Sequence, residues 1–208
     1  MKPQTLAKKL PDRTEAALPL TDEQFAWIRR QIKLRTGIHL HKNKQHLVHN
    51  RLSSRLRQLA LHSFQDYIEL LAGRGSSELE YFVNALTTNV TSFFREPHHF
   101  EFLAHHVMPA LRRQGRVSRL WSAGCSTGME PYSIAMILHE YIARHGLLSA
   151  ELLATDLNTD ALKTAVRGVY GLETAQGVSL QRRRQFALKG VGGNAGKLRM
   201  KASLTQAV

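Results

Sequence analysis

The stretch VSRLWSAGCSTGMEPYSIAM, residues 117–136, constrains the fold more than any other part of the chain. An apolar run leads into Gly124-Cys125-Ser126-Thr127-Gly128, and helical spacing follows from about Glu130 to His145. A strand that turns through glycines into a helix opens a crossover unit, because the helix must carry the chain back before a parallel strand can pair with the first. The run ELLATD, residues 151–156, reads as that second strand, and a further helix follows over about 158–167. The order is βαβα, a right-handed arrangement that holds its ligand at the carboxyl ends of its strands. The first strand reads as buried. Two parallel strands cannot by themselves cover both faces of a sheet, so the chain reads as truncated at its C-terminus.

Everything before this unit is helical. Thr21 suits an N-cap and Asp22 and Glu23 a first turn; Phe25, Ile28, Ile32 and Leu34 form an apolar stripe, and Gly37 stops the helix. A second helix over about 44–60 has Val48, Leu52, Leu56 and Leu59 on one face, with Arg51, Arg55 and Arg57 directed outward. Two more helices, about 63–72 and 76–86, are separated by Gly73-Arg74-Gly75. Residues 1–19 read as a flexible leader, 20–88 as a helical bundle, and 89–208 as an incomplete α/β domain whose tail, 171–208, has one short helix near 180–186 and a strand-like KLRMKAS. Between the two architectures lies NVTSFFR, residues 89–95, followed by Glu96-Pro97, where proline opens a helix running to about 113. The fold class is α/β with an all-α N-terminal bundle.

With 43% hydrophobic and 22% charged residues, the chain is neither disordered nor fibrous. No apolar run approaches a membrane span and no signal-peptide core is visible, so a cytoplasmic protein without membrane insertion is expected. A net charge of +13, divided almost evenly on either side of Thr88, favours an acidic partner. Its densest acid-free stretch is 39–58, on the second helix. Nucleic acid would also suit this charge, yet aromatics are only 7% and do not alternate with the basic residues as stacking platforms do, so none is expected.

The loop is neither GxGxxG nor GxxxxGK[ST]. It lacks a lysine, and Glu130 opens the next helix, placing negative charge where a phosphate would sit. S-adenosylmethionine, which has a sulfonium and an ammonium and no phosphate, suits such a loop. Asp156, after the second strand, stands where folds of this kind accept hydrogen bonds from ribose hydroxyls. A plain strand-to-helix turn and an N-cap role for Asp156 are the competing readings. The adjacent pairs His98-His99 and His105-His106 are poorly placed to share a metal, and none is expected. Cys125 reads as a small loop filler and not as a nucleophile.

Four segments in this order and spacing, HNRLSSRLRQLAL, NALTTNVTSFFREPHHF, WSAGCSTGMEPYSIAM and ATDLNTDALKTAVRGVY, resemble the chemotaxis receptor glutamate O-methyltransferases of the CheR type over residues 20–201. The resemblance implies a helical domain joined to an S-adenosylmethionine-dependent, Rossmann-like methyltransferase domain with an inserted antiparallel β-subdomain. It further implies methylation of glutamates on bacterial chemoreceptor helices, by a monomer. Carried over to this chain, Asn89, Thr91, Arg95, Ala123, Glu130 and Asp156 become cofactor contacts, with Arg95 also the catalytic candidate through the carboxylate it orients, that of the cofactor or of the substrate. Arg51, Arg55 and Arg57 become receptor-facing. Met129 departs from the second acid common before Glu130. The family's later Asn-Leu segment and Arg-Asn-Val strand have no counterpart here, so the 208 residues alone are expected to be inactive, and a non-catalytic remnant stands as an alternative.

Overall fold

The computed structural model describes residues 18–73, 77–115, 117–146 and 149–206. The expected leader falls, but for its last two residues, outside the described residues, as do Arg74 and Gly75 of the expected break. The chain forms two compact units divided between Ala85 and Leu86.

In the first unit, α1 (Asp22–Thr36) starts at a capping box in which Thr21 Oγ1 accepts from the Gln24 amide and the Gln24 side chain accepts from the Thr21 amide; Gly37 ends it in the left-handed conformation. Phe25, Ile28 and Ile32 are buried, but Leu34 is 74% exposed, since its position falls outside the i, i+3, i+7 stripe they define. α2 (Gln45–Gln58) buries Val48, Leu52 and Leu56. α3 (Phe64–Ala72), capped by Ser63, contributes Phe64, Tyr67 and Leu71, and α4 (Glu78–Leu86) contributes Phe82.

In the second unit, the helix expected over 97–113 is interrupted. α5 (Pro97–Phe102) passes through a π-turn at Leu103–Val107 before α6 (Met108–Gln114). Pro109 has no N–H and cannot continue the i to i−4 ladder, and the wider turn accommodates it. β1 (Ser118–Ala123) pairs in parallel with β2 (Ala150–Thr155), in register from Ser118 opposite Ala150 to Ala123 opposite Thr155. Between them runs α7 (Met129–His145), and α8 (Thr159–Arg167) follows. Leu120, Leu152 and Ala150 pack toward the core around α7. The expected burial of β1 holds for that face only: Trp121 is 67% exposed and Leu153 58%, because nothing among the described residues covers the other side.

A second sheet is antiparallel, with β5 (Lys197–Met200) between β3 (Val169–Gly171) and β4 (Ala187–Lys189). α9 (Leu180–Phe186) lies within this insertion. KLRMKAS is strand only to Met200, after which Ala202 starts the short α10 (Ala202–Thr205). Tyr170, Val178, Phe186, Leu198, Met200 and Leu204 join Met129, Tyr132 and Met136 of α7 in one core.

Candidate functional site

The parallel register brings the ends of β1 and β2 side by side, and the chain turns away from both at the same level. The amides of Gly124 and Cys125 both donate to the Thr155 carbonyl, at 2.8 and 2.9 Å. Asp156 comes next. Its carboxylate accepts from the Ser126 amide at 2.7 Å through one oxygen and from the Asn158 amide at 2.8 Å through the other. The N-cap of α8 is Asn158, whose side chain accepts from the Ala161 amide, so the capping alternative for Asp156 fails. Each carboxylate oxygen still has a lone pair for a ligand hydroxyl.

Ser126 has φ +51°, unusual for a residue with a side chain, and its surroundings hold it there. Besides the amide bond to Asp156, its hydroxyl donates to the Asn89 carbonyl at 3.2 Å. Asn158, only 4% exposed, donates through its side-chain amide to Thr87 Oγ1 at 2.8 Å. Residues 87–89, the glycine loop and the end of β2 are thus one hydrogen-bonded assembly.

The two loop glycines have different reasons. At Gly124, φ is +88° and a Cβ would meet open space, leaving the backbone accessible to a ligand. At Gly128, φ is +89° and a Cβ would lie 2.7 Å from that of Ala165, so only glycine lets α8 pack this closely. Glu130, in the first turn of α7, accepts from the Ser122 hydroxyl at 2.7 Å and remains exposed. Tyr170 donates to the Thr127 carbonyl at 2.6 Å, while Thr127 Oγ1 is buried without a hydrogen-bond partner among the described residues. Cys125 is buried, and desolvation followed by the negative charge of Asp156 raises its thiol above the ordinary value. Burial and the raised thiol both count against an activated nucleophile.

The segment 89–95 is anchored through its aromatic pair. Phe93 is buried edge-on to Tyr170, with centroids 5.0 Å apart, and the Phe94 amide donates to Ser133 Oγ at 3.1 Å. Phe94 and Glu96 both have positive φ, +52° and +56°, and Arg95 between them is exposed with its guanidinium donating to the Val90 carbonyl at 3.0 Å. Asn89 and Thr91 are partly buried, and their side chains make no hydrogen bond among the described residues. Of the expected contacts, Asn89, Ala123, Glu130 and Asp156 surround the loop directly, whereas Thr91 and Arg95 lie further along the same anchored segment. Sequence reasoning missed Ser122, Ser126, Ser133, Thr87 and Asn158; of these, only Asn158 had a readable signal, an Asn directly before a helical run.

In the first unit Arg55 is not directed outward as expected. Its guanidinium grips the nearly buried Glu78 at 2.9 and 2.7 Å and lies 3.9 Å from the Tyr81 ring centroid. Tyr67 donates to the same carboxylate at 3.0 Å, and burial followed by Glu78 pushes its phenol far up. Arg57 is exposed, and Arg51 is half-buried with a long contact to the Ala85 carbonyl.

A glycine loop open at Gly124, flanked by two carboxylates and free of basic side chains, repels phosphate and suits a cationic, hydroxyl-bearing cofactor. Residues 89–208 match the CheR methyltransferase SAM binding domain, where SAM is S-adenosylmethionine, and residues 23–87 match the CheR methyltransferase all-alpha domain. The chain belongs to the CheR methyltransferase family. Over 188 residues it is 44% identical to chemotaxis protein methyltransferase 2 of Pseudomonas aeruginosa, covering 90% of this chain and 66% of the relative. The chemotaxis protein methyltransferases of Klebsiella aerogenes and Escherichia coli are 41% and 40% identical, each over 92% of this chain and 64% and 65% of their own lengths. The chain therefore spans about two thirds of these relatives. S-adenosylmethionine is the cofactor of the family's domain, and the residues present fit it: an orphaned Thr127 hydroxyl, free carboxylate lone pairs on Asp156 and an uncovered Gly124. No metal-binding group occurs among the described residues, and no described helix is long and apolar enough to cross a membrane.

Proposed function

We propose that this protein, over its full encoded length, transfers a methyl group from S-adenosylmethionine to glutamate side chains on the cytoplasmic helices of bacterial chemoreceptors. The carrying observation is the pairing of Asp156 and Glu130 around a loop with no cation. Bound there, the cofactor supplies an electrophilic methyl on sulfur. Asp156 would hold the ribose hydroxyls, Ala123 and Gly124 would offer backbone, and Glu130 would face the cationic end. Asn89 and Thr91 have side chains available for further hydrogen bonds. Arg95, with its planar fork, would orient a carboxylate.

A glutamate with a reference pKa near 4.3 is already ionised at neutral pH and needs no general base. That agrees with a site whose one thiol is inert. Catalysis then consists of alignment and of stripping water from the reacting carboxylate. Arg51 and Arg57 would steer an acidic receptor helix, raising the encounter rate more than the final affinity. Arg55 is engaged with Glu78 and contributes mainly by holding α2 in place. On this reading the protein works in the cytoplasm as a monomer, without nucleic acid.

The test is calorimetric titration of S-adenosylmethionine together with transfer of labelled methyl to a receptor fragment. Binding and transfer are expected, with Asp156→Ala weakening binding by about 1 to 3 kcal/mol through lost hydrogen bonds. A protein that binds duplex nucleic acid at physiological salt and leaves the receptor unlabelled would overturn the reading.

A further inference from the structure

Arg95 leaves the backbone between two residues, Phe94 and Glu96, that both have left-handed φ without being glycine. Such a turn persists only where its surroundings over-determine it. The Phe94 amide is fixed by Ser133, and its ring meets Phe100 edge-on, with centroids 5.1 Å apart. Against the same ring lies the Arg182 guanidinium of α9, 4.3 Å from the centroid. Arg182 is itself locked: its Nε and Nη2 donate to the two carboxylate oxygens of Glu140 on α7, at 2.7 and 2.9 Å. Both side chains are more than half buried.

The preceding residue is held by the same insertion. Tyr170 of β3 packs edge-on to Phe93, and a Cβ at Gly177 would collide with the Phe93 carbonyl oxygen. Three residues from 170–182 therefore bear on Phe93 and Phe94, the two positions directly before Arg95.

We propose that Arg182 is a positioning residue for Arg95. Glu140 holds its guanidinium over the Phe94 ring, and that contact fixes the left-handed turn from which Arg95 reaches the reacting carboxylate. Only arginine can satisfy both partners, because its planar fork bonds a carboxylate along one edge while its face lies on an aromatic ring. Lysine keeps the charge and loses one contact or the other. Since Arg182 bears on the turn and not on the glycine loop, its loss should affect alignment and spare cofactor binding. The inference rests on the role of Arg95 proposed above, with the substrate's carboxylate and not the cofactor's as the one it orients.

The experiment uses the full-length protein and compares wild type with Arg182→Lys and Arg182→Ala. It measures steady-state transfer to a receptor fragment, calorimetric binding of S-adenosylmethionine and the thermal midpoint. Both variants are expected to lose about tenfold or more in kcat, as displacement of an aligning group does, with the cofactor dissociation constant unchanged. In a Phe94→Leu background, Arg182→Lys should cause no further loss. If Arg182→Ala does not fold, Arg182→Lys, which keeps its charge opposite Glu140, decides alone. Wild-type kcat in Arg182→Lys, or losses that multiply independently of Phe94, would overturn the inference. So would a loss that tracks the thermal midpoint and disappears on cooling. Failure of wild type to transfer methyl removes the proposed function and this inference together, whereas those results remove this inference alone.

Discussion

Asp156 does two jobs that a single substitution cannot separate without two measurements. Its carboxylate accepts from the Ser126 and Asn158 amides, so it shapes the loop before any ligand arrives. Asp156→Ala should therefore lower the stability of the second unit by about 1 to 3 kcal/mol as well as weaken cofactor binding, since hydrogen bonds to a charged acceptor lie at the upper end of the range. Thermal unfolding without ligand measures the first loss and calorimetry the second. An unchanged dissociation constant in a destabilised variant would leave Asp156 as scaffold only. Cys125 gives a second residue-level expectation. Its thiol is buried and held above its ordinary value, so it is protonated near neutral pH and closed to reagents. Iodoacetamide should label it only after denaturation; rapid labelling of native protein at neutral pH, read by mass spectrometry, would contradict that account.

Among the elements, α2 carries both a structural and a binding face, and its arginines divide between them. Arg55→Ala would remove the guanidinium that grips the buried Glu78 from both oxygens, and breaking a pair of this kind costs about 3 kcal/mol or more. Chemical denaturation should show that loss, while Arg57→Ala, at an exposed position, should change stability by less than about 0.5 kcal/mol. Charge reversal at Arg51 and Arg57 should reduce receptor methylation most at low ionic strength, where the attraction is least screened, and should spare cofactor affinity. Equal losses at all salt concentrations would remove these residues from steering. Helix starts and stops were legible where capping is local: Thr21 and Gly37 act within a few residues of themselves, whereas the cap of α8 was read onto Asp156 and falls on Asn158. The pairing of Arg55 with Glu78 spans 23 positions and has no periodic signature, so α2 looked uniformly basic. The loop glycines and Asp156 could be read for the same local reason that the caps could, whereas Ser126 and Ser133, ordinary residues whose partners lie 37 and 39 positions away, could not.

At the scale of the molecule, the governing fact is a parallel sheet that has two strands and one bare face among the described residues. Arg119, Trp121, Glu151 and Leu153 are exposed there, tied across the strands by an Arg119–Glu151 ion pair at 3.2 Å and a bond from Trp121 Nε1 to Thr155 Oγ1 at 3.0 Å. Parallel sheets are ordinarily covered on both faces, and an uncovered aromatic beside a leucine favours association or loosening of the layer beneath. The site lies at the ends of those same strands, so its geometry depends on how firmly they are held. Expressed alone, residues 1–208 are expected to bind S-adenosylmethionine weakly and to transfer no methyl, while the first unit, whose core is formed by neighbouring helices, keeps its thermal transition. Trp121 reports on the difference: with Trp27→Phe removing the other tryptophan, acrylamide should quench Trp121 strongly in the 208-residue chain and weakly in a protein of the relatives' full length. Strong quenching in both, together with equal turnover, would show that the bare face is the native surface and that two strands suffice for the chemistry.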